Sequence, residues 1–172
     1  MSICVQGMEG LVEAGLVRSI GLSNCNESQI ERILTVCKIP PAVNQVEVSV
    51  HWLNDRLVNY AHSKGIHIEA YAPLGSPTIM KSPLQLIKTG YPNERAHKKS
   101  PAQVLLRHAI ERGIAAIPHC VCEEGIKENI DIFDFSLTKE EMENLNAHSR
   151  NCRLFDMPAS ADQPEYPFDA DF

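Results

Sequence analysis

The hydrophobic residues of this chain follow two spacings that alternate along its length. Short continuous apolar runs, such as residues 114–117, indicate strands buried on both faces of a parallel sheet. Between these runs, apolar residues recur every three or four positions, which indicates one face of a helix. This alternation predicts right-handed βαβ units. Strands are predicted near residues 17–22, 43–48, 66–72 and 114–118, with helices on one face of the sheet and an apolar surface on the other.

Capping signals predict where several helices begin. In a capping box, an Asn, Ser or Thr and a Gln or Glu three residues later each accept the other's backbone N–H, which favours a helix start. Glycine ends three of the preceding helical stretches, at Gly15, Gly65 and Gly113. The predicted boxes are Asn26 with Gln29, Ser100 with Gln103, and Thr138 with Glu141.

Three polar residues, Asn44, Gln45 and Glu47, lie within the predicted second strand. A buried amide or carboxylate without a hydrogen-bond partner destabilises the fold by about 1–3 kcal/mol or more. We therefore expect each of these side chains to have a partner.

Charge and hydropathy exclude several functional classes. The 172 residues carry 16 basic and 22 acidic side chains, a formal net charge of −6, without the basic run that nucleic-acid binding favours. No apolar run approaches the roughly 20 residues that span a bilayer. No secretory signal is recognisable, so a cytoplasmic protein without a membrane or nucleic-acid partner is expected. The six cysteines are irregularly spread and are expected to be free thiols.

Motifs for metal binding and nucleophilic catalysis are weak. His119, Cys120 and Cys122 carry zinc-ligand side chains, but no second ligand pair accompanies them, so a loop with two thiols is favoured over a zinc site. No G-x-S-x-G, G-x-G-x-x-G or P-loop motif is present. The other six histidines are expected to be surface residues or hydrogen-bonded, partly buried ones.

Polar residues at the predicted strand ends are the remaining candidates. Ligands of parallel α/β folds bind where loops leave the carboxyl ends of strands. Any one of these residues is also explained by turn chemistry or helix capping. The irregular stretch at residues 75–99 has the length of a binding loop, and a disordered segment is the alternative. The candidates are Ser23, Asn24, Gln45, Tyr71, Ser76, Glu128 and Asn129.

Six longer motifs carry a resemblance to a known family. They are G-L-V-R-S-I-G-L-S-N at 15–24, P-A-V-N-Q-V-E at 41–47, A-Y-A-P-L-G-S-P at 70–77, S-P-A-Q-V-L-L-R at 100–107, I-K-E-N at 126–129 and F-D-F-S-L-T-K-E-E-M at 133–142. Together they resemble the C-terminal half of the aldo-keto reductases, over nearly the whole chain. The resemblance implies that residues 1–172 form a partial domain of an α/β fold. That fold is the C-terminal half of a (β/α)8 TIM barrel, with about four parallel strands, outer helices and a C-terminal substrate loop at residues 151–172.

The resemblance also implies a reaction, the reduction of aldehydes and ketones with NADPH. By analogy with the family, Ser23, Asn24 and Gln45 would hold the nicotinamide carboxamide, and Tyr71 would stack on the ring. The substrate would be a small carbonyl compound, provided that the barrel is completed.

Further residues would hold the rest of the nucleotide, again by resemblance. The loop around Leu74 and Ser76 would fold over the pyrophosphate. Glu128 and Asn129 would hydrogen-bond the adenine.

One departure from the family pattern concerns the adenosine 2′-phosphate. NADP-using relatives usually read K-S-V-T-x-x-R where this chain has His119, Cys120, Val121, Cys122 and then Gly125. Both cations of the phosphate site are therefore changed. Each charge-assisted contact contributes roughly 1.5–3 kcal/mol, so we expect a weakened preference for NADP over NAD.

A second departure concerns catalysis. The family's proton-donor tyrosine and its partners belong to the N-terminal half of the barrel, which the resemblance does not cover. We therefore name no catalytic residue and expect the chain alone to be inactive. A half-barrel would expose strand edges that favour self-association. The alternative function is a non-catalytic nucleotide-binding or structural interaction protein on a reductase scaffold. The tyrosines that do not match the proton-donor motif are Tyr60, Tyr71, Tyr91 and Tyr166.

Overall fold

The computed structural model describes residues 2–76 and 97–169 of the chain. Most of the predicted loop at residues 75–99 therefore lies outside the described residues. The helices are α1 (Ser2–Glu13), α2 (Glu27–Leu34), α3 (Asp55–Ser63), α4 (Pro101–Glu111), α5 (Glu123–Ile130) and α6 (Lys139–Ala147). The strands are β1 (Gly21–Ser23), β2 (Val43–Glu47), β3 (His67–Tyr71) and β4 (Ile114–Ile117).

The four strands form a parallel sheet in the order β1-β2-β3-β4, which confirms the predicted fold class. Between β1 and β2, Gly21 pairs with Val43 and Ser23 pairs with Gln45. Position 21 requires glycine for space, because a Cβ there would lie 2.5 Å from Cγ2 of Val43. This close approach sets β1 beside β2, and β2 continues to Glu47, two residues beyond the Gln45 that pairs with the end of β1.

The first strand is shorter than predicted. β1 begins at Gly21, whereas the apolar run predicted a strand from residue 17. The backbone N–H groups of Leu16 and Val17 both donate to the carbonyl of Leu11. This segment therefore still closes α1 and does not pair in the sheet. The other three strands lie within their predicted ranges.

All three predicted capping boxes are confirmed. In each, the capping side chain accepts the N–H of the residue three positions on, and the Gln or Glu at that position accepts the capping residue's N–H. A capping side chain typically stabilises a helix by about 1 kcal/mol. The starts of α2, α4 and α6 are fixed in this way.

The two faces of β2 and β3 differ in burial. Alternate residues of a strand point to opposite faces of a sheet. One set is fully buried, whereas the other includes the less buried Gln45, His67 and Glu69. The prediction that the second face is apolar is therefore wrong here. Gln45 and Glu69 hydrogen-bond each other, which accommodates their polarity. The buried set is Asn44, Val46, Ile68 and Ala70.

The last strand was predicted to be buried on both faces, and this is wrong. Ile114 is 1% exposed, whereas Ile117 is 42% exposed and Ala115 is also exposed. An apolar run indicates that a strand tolerates burial, but it does not supply the second layer that would cover it. Among the described residues, β4 is buried on one side only.

The described chain divides into two compact units. Residues 2–46, 54–69 and 156–169 form the first unit, and residues 47–53, 70–76 and 97–155 form the second. No helix within these ranges has the length and apolar character needed to cross a bilayer. In the first unit, α2 and α3 bury Ile30, Ile33, Leu57, Val58 and Ala61. In the second unit, a core cluster comprises Val50, Val104, Leu105, Leu137 and Leu145.

Candidate functional site

The carboxyl ends of β1 and β2 bring three predicted site residues together. Oγ of Ser23 donates to the backbone oxygen of Gln45 at 3.1 Å, and the N–H of Asn24 donates to the same oxygen at 2.9 Å. Asn24 has a left-handed backbone with φ of 54°, which asparagine tolerates better than most residues. The first unit thus holds Ser23, Asn24 and Gln45 as one cluster, called the strand-end cluster below.

The side-chain amide of Gln45 is oriented by a neighbour that the sequence did not single out. Nε2 of Gln45 donates to Oε2 of Glu69 at 3.0 Å. A carboxylate only accepts hydrogen bonds, so the amide nitrogen faces Glu69 and Oε1 of Gln45 is turned away as an acceptor. The only sequence signal for Glu69 is its alternation with the buried Ile68 and Ala70 of β3.

A buried asparagine fixes the loop that follows β1. Asn44 is fully buried; its Nδ2 donates to the carbonyl of Cys25 at 2.8 Å, and the N–H of Cys25 donates to its Oδ1 at 3.4 Å. This reciprocal pair supports the backbone next to Asn24. Burial raises the pKa of the Cys25 thiol, which keeps it protonated and a poor nucleophile.

The buried carboxylate of Glu47 anchors the start of the C-terminal tail. Its two oxygens accept the backbone N–H groups of Leu154 at 2.8 Å and Phe155 at 2.9 Å, and Glu47 is 1% exposed. The expectation that Asn44, Gln45 and Glu47 have partners is thus confirmed. The sequence alone does not identify the partners of Glu47, because they lie more than a hundred residues further along the chain.

Tyr71 and the loop after it lie in the second unit. The Tyr71 ring meets Phe155 edge to face, with centroids 5.7 Å apart at 77°. Ala72 is left-handed, with φ of 49°, and its carbonyl accepts the N–H of Gly75 at 2.8 Å. A left-handed alanine is strained by about 1–2 kcal/mol. The tight turn of residues 72–75 follows β3 and contains the half-buried Leu74.

Ser76 is the last described residue before the gap, and it is half-buried. Leu74 packs against the core cluster of the second unit. The predicted contact of these two residues with a pyrophosphate stays a prediction.

The loop before α5 contains His119, Cys120 and Val121. His119 is exposed, and Val121 is 87% exposed. The first turn of α5 carries Glu123 and Glu124, and Oε1 of Glu123 forms an ion pair with the Lys127 ammonium at 2.6 Å. The Lys127 ammonium offsets the charge of Glu123, whereas Glu124 adds a negative charge beside the loop, which disfavours a phosphate there.

Glu128 and Asn129 lie in the last turn of α5 and are half-buried. The backbone oxygen of Glu128 accepts a hydrogen bond from Nε2 of Gln103 at 3.2 Å, and the same amide donates to the backbone oxygen of Asp131 at 2.8 Å. Gln103, the capping-box partner of Ser100 in α4, therefore also supports the end of α5. The predicted adenine contacts remain untested.

The end of the tail is held by α2, within the first unit. Nδ2 of Asn26 donates to the carbonyl of Pro167 at 3.3 Å, and Nε2 of Gln29 donates to the carbonyl of Glu165 at 2.9 Å. Arg32 pairs with the Glu165 carboxylate at 2.5 Å and is the main cause of its lowered pKa. The predicted substrate tail is thus irregular but anchored.

His51 corrects one expectation about the histidines. It is 3% exposed, and neither ring nitrogen has a hydrogen-bond partner among residues 2–76 and 97–169. By contrast, Nε2 of the buried His108 lies 2.8 Å from Oδ1 of Asn146, within hydrogen-bond distance. Since His51 stands between apolar residues in the sequence, no local pattern marked it as an unpaired buried group. Burial lowers the pKa of His51, and the positive charge of Arg150 adds to the effect.

Residues 2–76 and 97–169 contain no group of three or more His, Cys, Asp or Glu side chains arranged to hold a metal ion. All six cysteines are free thiols.

The strand-end cluster fits an amide ligand, because Oε1 of Gln45 is an oriented acceptor and Ser23 supplies a hydroxyl. The loop at His119 fits a 2′-phosphate poorly. Its only basic side chain is a histidine, and two glutamates follow it at the start of α5.

Comparisons with known proteins agree with one another. A family profile described as Aldo/keto reductase family matches residues 3–150. Aldo-keto reductase family 1 member A1 of Gallus gallus is 38% identical over 95% of this chain and 54% of its own length. Member D1 of Rattus norvegicus is 40% identical over 95% of this chain and 53% of its own length.

Solved structures give the same result. The aldose reductase of Schistosoma japonicum superposes with a TM-score of 0.86 and 43% identity, covering 97% of this chain and 53% of that chain. A Bombyx mori aldo-keto reductase in complex with NADP superposes with a TM-score of 0.81 and 36% identity. The match covers 94% of this chain and 54% of that chain. The chain therefore spans about half the length of the relatives it matches and corresponds to half of their barrel. It belongs to the aldo/keto reductase family.

Proposed function

We propose that this chain binds a nicotinamide nucleotide and supplies the cofactor side of an NAD(P)H-dependent carbonyl reductase. The observation that carries the proposal is the strand-end cluster, in which Gln45 presents an oriented amide oxygen next to Ser23 and Asn24. A carboxamide NH₂ offers two N–H donors, which complements Oε1 of Gln45 and Oγ of Ser23, since the Ser23 proton goes to the backbone oxygen of Gln45 and leaves its oxygen as an acceptor. When bound, the nicotinamide ring supplies the hydride.

The other predicted contacts complete the proposal. Tyr71 offers a ring face to the nicotinamide, and Leu74 and Ser76 contact the pyrophosphate. Glu128 and Asn129 contact the adenine. At the 2′-phosphate, His119 and Gly125 stand in place of two cations, so NADPH loses most of its advantage over NADH.

Reduction of a small aldehyde or ketone is the proposed activity of the whole protein. Positioned acid and base groups typically contribute about 10²–10⁴-fold to the rate, and the family's proton-donor motif has no match in these 172 residues. The chain on its own is therefore proposed to bind the cofactor without reducing aldehydes at a family-like rate. Efficient NADPH-dependent turnover by the purified chain would contradict this part of the proposal.

Calorimetric titration of the purified chain with NADH and NADPH tests the binding. The Gln45→Leu variant removes the amide acceptor, and we expect it to weaken both nucleotides by roughly tenfold, the effect of about 1.4 kcal/mol. The matched control is Gln6→Leu, which makes the same change at an exposed position of α1. Equal affinity of the Gln45→Leu variant and the unaltered chain, or no binding at millimolar nucleotide, would overturn the proposal.

A further inference from the structure

Two thiols lie close together in the loop before α5. Sγ of Cys120 is 3.9 Å from Sγ of Cys122, and Sγ of Cys120 is 3.5 Å from the backbone oxygen of Cys122. Cys120 is half-buried and Cys122 is exposed, so a small reagent can reach the pair. Cys122 is the N-cap residue of α5, but its side chain makes no capping hydrogen bond. Neither sulfur is therefore committed to the helix.

Gly125 makes room for the two sulfurs. A Cβ at position 125 would lie 2.4 Å from Sγ of Cys120 and 3.2 Å from Sγ of Cys122, both closer than side-chain atoms normally approach. A side chain at position 125 would therefore require the Cys120 thiol to rotate away, since the thiols pack over the Cα of this glycine. The same glycine stands where the family pattern has a cation. The loss of that cation and the close packing of the two thiols therefore belong to one local arrangement.

We propose that Cys120 and Cys122 form a reversible redox site that closes an intramolecular disulfide by exchange with a small disulfide such as oxidised glutathione. One protein thiol loses its proton and attacks a sulfur of the small disulfide, whose S–S bond breaks to release one thiol. The second protein thiol then loses its proton, attacks the mixed disulfide and releases the other small thiol. The protein pair is oxidised by two electrons, and the small disulfide is reduced to two thiols.

The geometry permits this step with a short movement. A disulfide bond is about 2.05 Å long, so the sulfurs must approach from 3.9 Å. Both residues lie in irregular backbone between β4 and α5, where a rotation of the side chains and a small loop adjustment bring them together. Any effect of the disulfide on nucleotide binding rests on the proposed function, whereas the formation of the disulfide does not.

Glutathione redox buffers test the site on the full chain. After equilibration, remaining thiols are alkylated, and trypsin releases residues 113–127, which contain Cys120 and Cys122 and no other cysteine. We expect this peptide to become lighter by two hydrogens and to carry neither alkyl groups nor glutathione. Diluting the buffer about tenfold at a constant ratio of oxidised to reduced glutathione should raise the ratio of disulfide to dithiol about tenfold, because closure releases two thiols per small disulfide consumed.

Two comparisons separate this site from ordinary thiol modification. Cys152, which is exposed and has no neighbouring cysteine in the sequence, is an internal reference, since formation of its mixed disulfide releases one thiol and the fraction modified should not respond to dilution. The Cys122→Ser variant leaves Cys120 alone, which should then carry a glutathione adduct that is equally unresponsive. The proposal is overturned if the 113–127 peptide of the unaltered chain carries only adducts, or keeps both thiols under conditions that modify Cys152.

Discussion

Nε2 of Gln45 lies 3.0 Å from Oε2 of Glu69, on the neighbouring strand of the sheet. Because the carboxylate cannot donate, this contact selects one of the two orientations of the Gln45 amide. Glu69 is thereby a positioning residue for the strand-end cluster.

The first prediction is that Glu69→Gln weakens nicotinamide nucleotides selectively. A glutamine at position 69 both donates and accepts, so the Gln45 amide loses its fixed orientation. The affinity for NADH should fall about fivefold, the effect of roughly 1 kcal/mol. The affinity for adenosine 2′,5′-bisphosphate, which has no nicotinamide, should not change. The matched control is His67→Gln on the same face of β3, and a parallel loss of both ligands would argue against the positioning role.

The second prediction concerns self-association through the sheet edges. β1 and β4 end the strand order, so within the described residues each has a neighbouring strand on one side only. Ile117 of β4 also exposes 42% of its surface. Unpaired edges of this kind favour pairing with another chain. Sedimentation velocity should show association that rises with concentration and is reduced by Ile117→Lys.

Val121→Lys is the control for this experiment, because it places the same charge on an exposed loop residue next to the strand. A chain that stays monomeric at every concentration, or equal effects of both lysines, would contradict association through β4.

The sequence predicted the fold well because its signals were local. The capping boxes at Asn26, Ser100 and Thr138 depend on residues three positions apart, and all three are present in the structure. The predicted start of β1 was wrong because the N–H groups of Leu16 and Val17 donate to the end of α1. An apolar run does not reveal which acceptors its N–H groups bind.

The candidate site was predictable only in part. Family motifs gave the strand-end cluster, and pairing between β1 and β2 brings its residues together. The supporting residues Glu69 and Glu47 were not identified as such, because their partners come from other strands or from the tail. The closeness of Cys120 to Cys122 over Gly125 also depends on the course of the loop, which residue spacing does not specify.

The third prediction concerns the unpaired buried imidazole of His51. Burial lowers its folded-state pKa from the ordinary value of 6.5, and the nearby charges of Arg150 and His148 act in the same direction. The unfolded chain therefore binds a proton at a higher pH than the folded chain does. The free energy of unfolding should be unaffected by this group above about pH 6.5 and should fall as the pH drops from there towards the lowered pKa, by at most about 1.4 kcal/mol per pH unit.

Urea unfolding at a series of pH values measures this effect. His51→Phe should flatten the pH dependence in that window, since it removes the titrating group while keeping a ring. His62→Phe, at an exposed position of α3, is the matched control for the introduction of a phenylalanine. An unaltered slope in the His51 variant would assign the pH dependence to other groups.

The last prediction concerns the choice between NADPH and NADH, and it depends on the packing of Cys120 over Gly125. Restoring the family's cations by His119→Lys and Gly125→Arg should strengthen NADPH relative to NADH, because each charge-assisted contact contributes roughly 1.5–3 kcal/mol. The Cβ of the new arginine, however, would start 2.4 Å from Sγ of Cys120. The double variant must therefore displace that thiol, and adding Cys120→Ala should increase the gain by removing the obstructing atom. The control combines His119→Gln with Gly125→Gln and Cys120→Ala, which places polar side chains without charge at the same positions. Calorimetry with both nucleotides should show that the ratio of NADPH affinity to NADH affinity is lowest in the uncharged control. The ratio should be higher in the double variant and highest in the double variant with Cys120→Ala added. An equal ratio in all three would mean that this loop does not bind the 2′-phosphate.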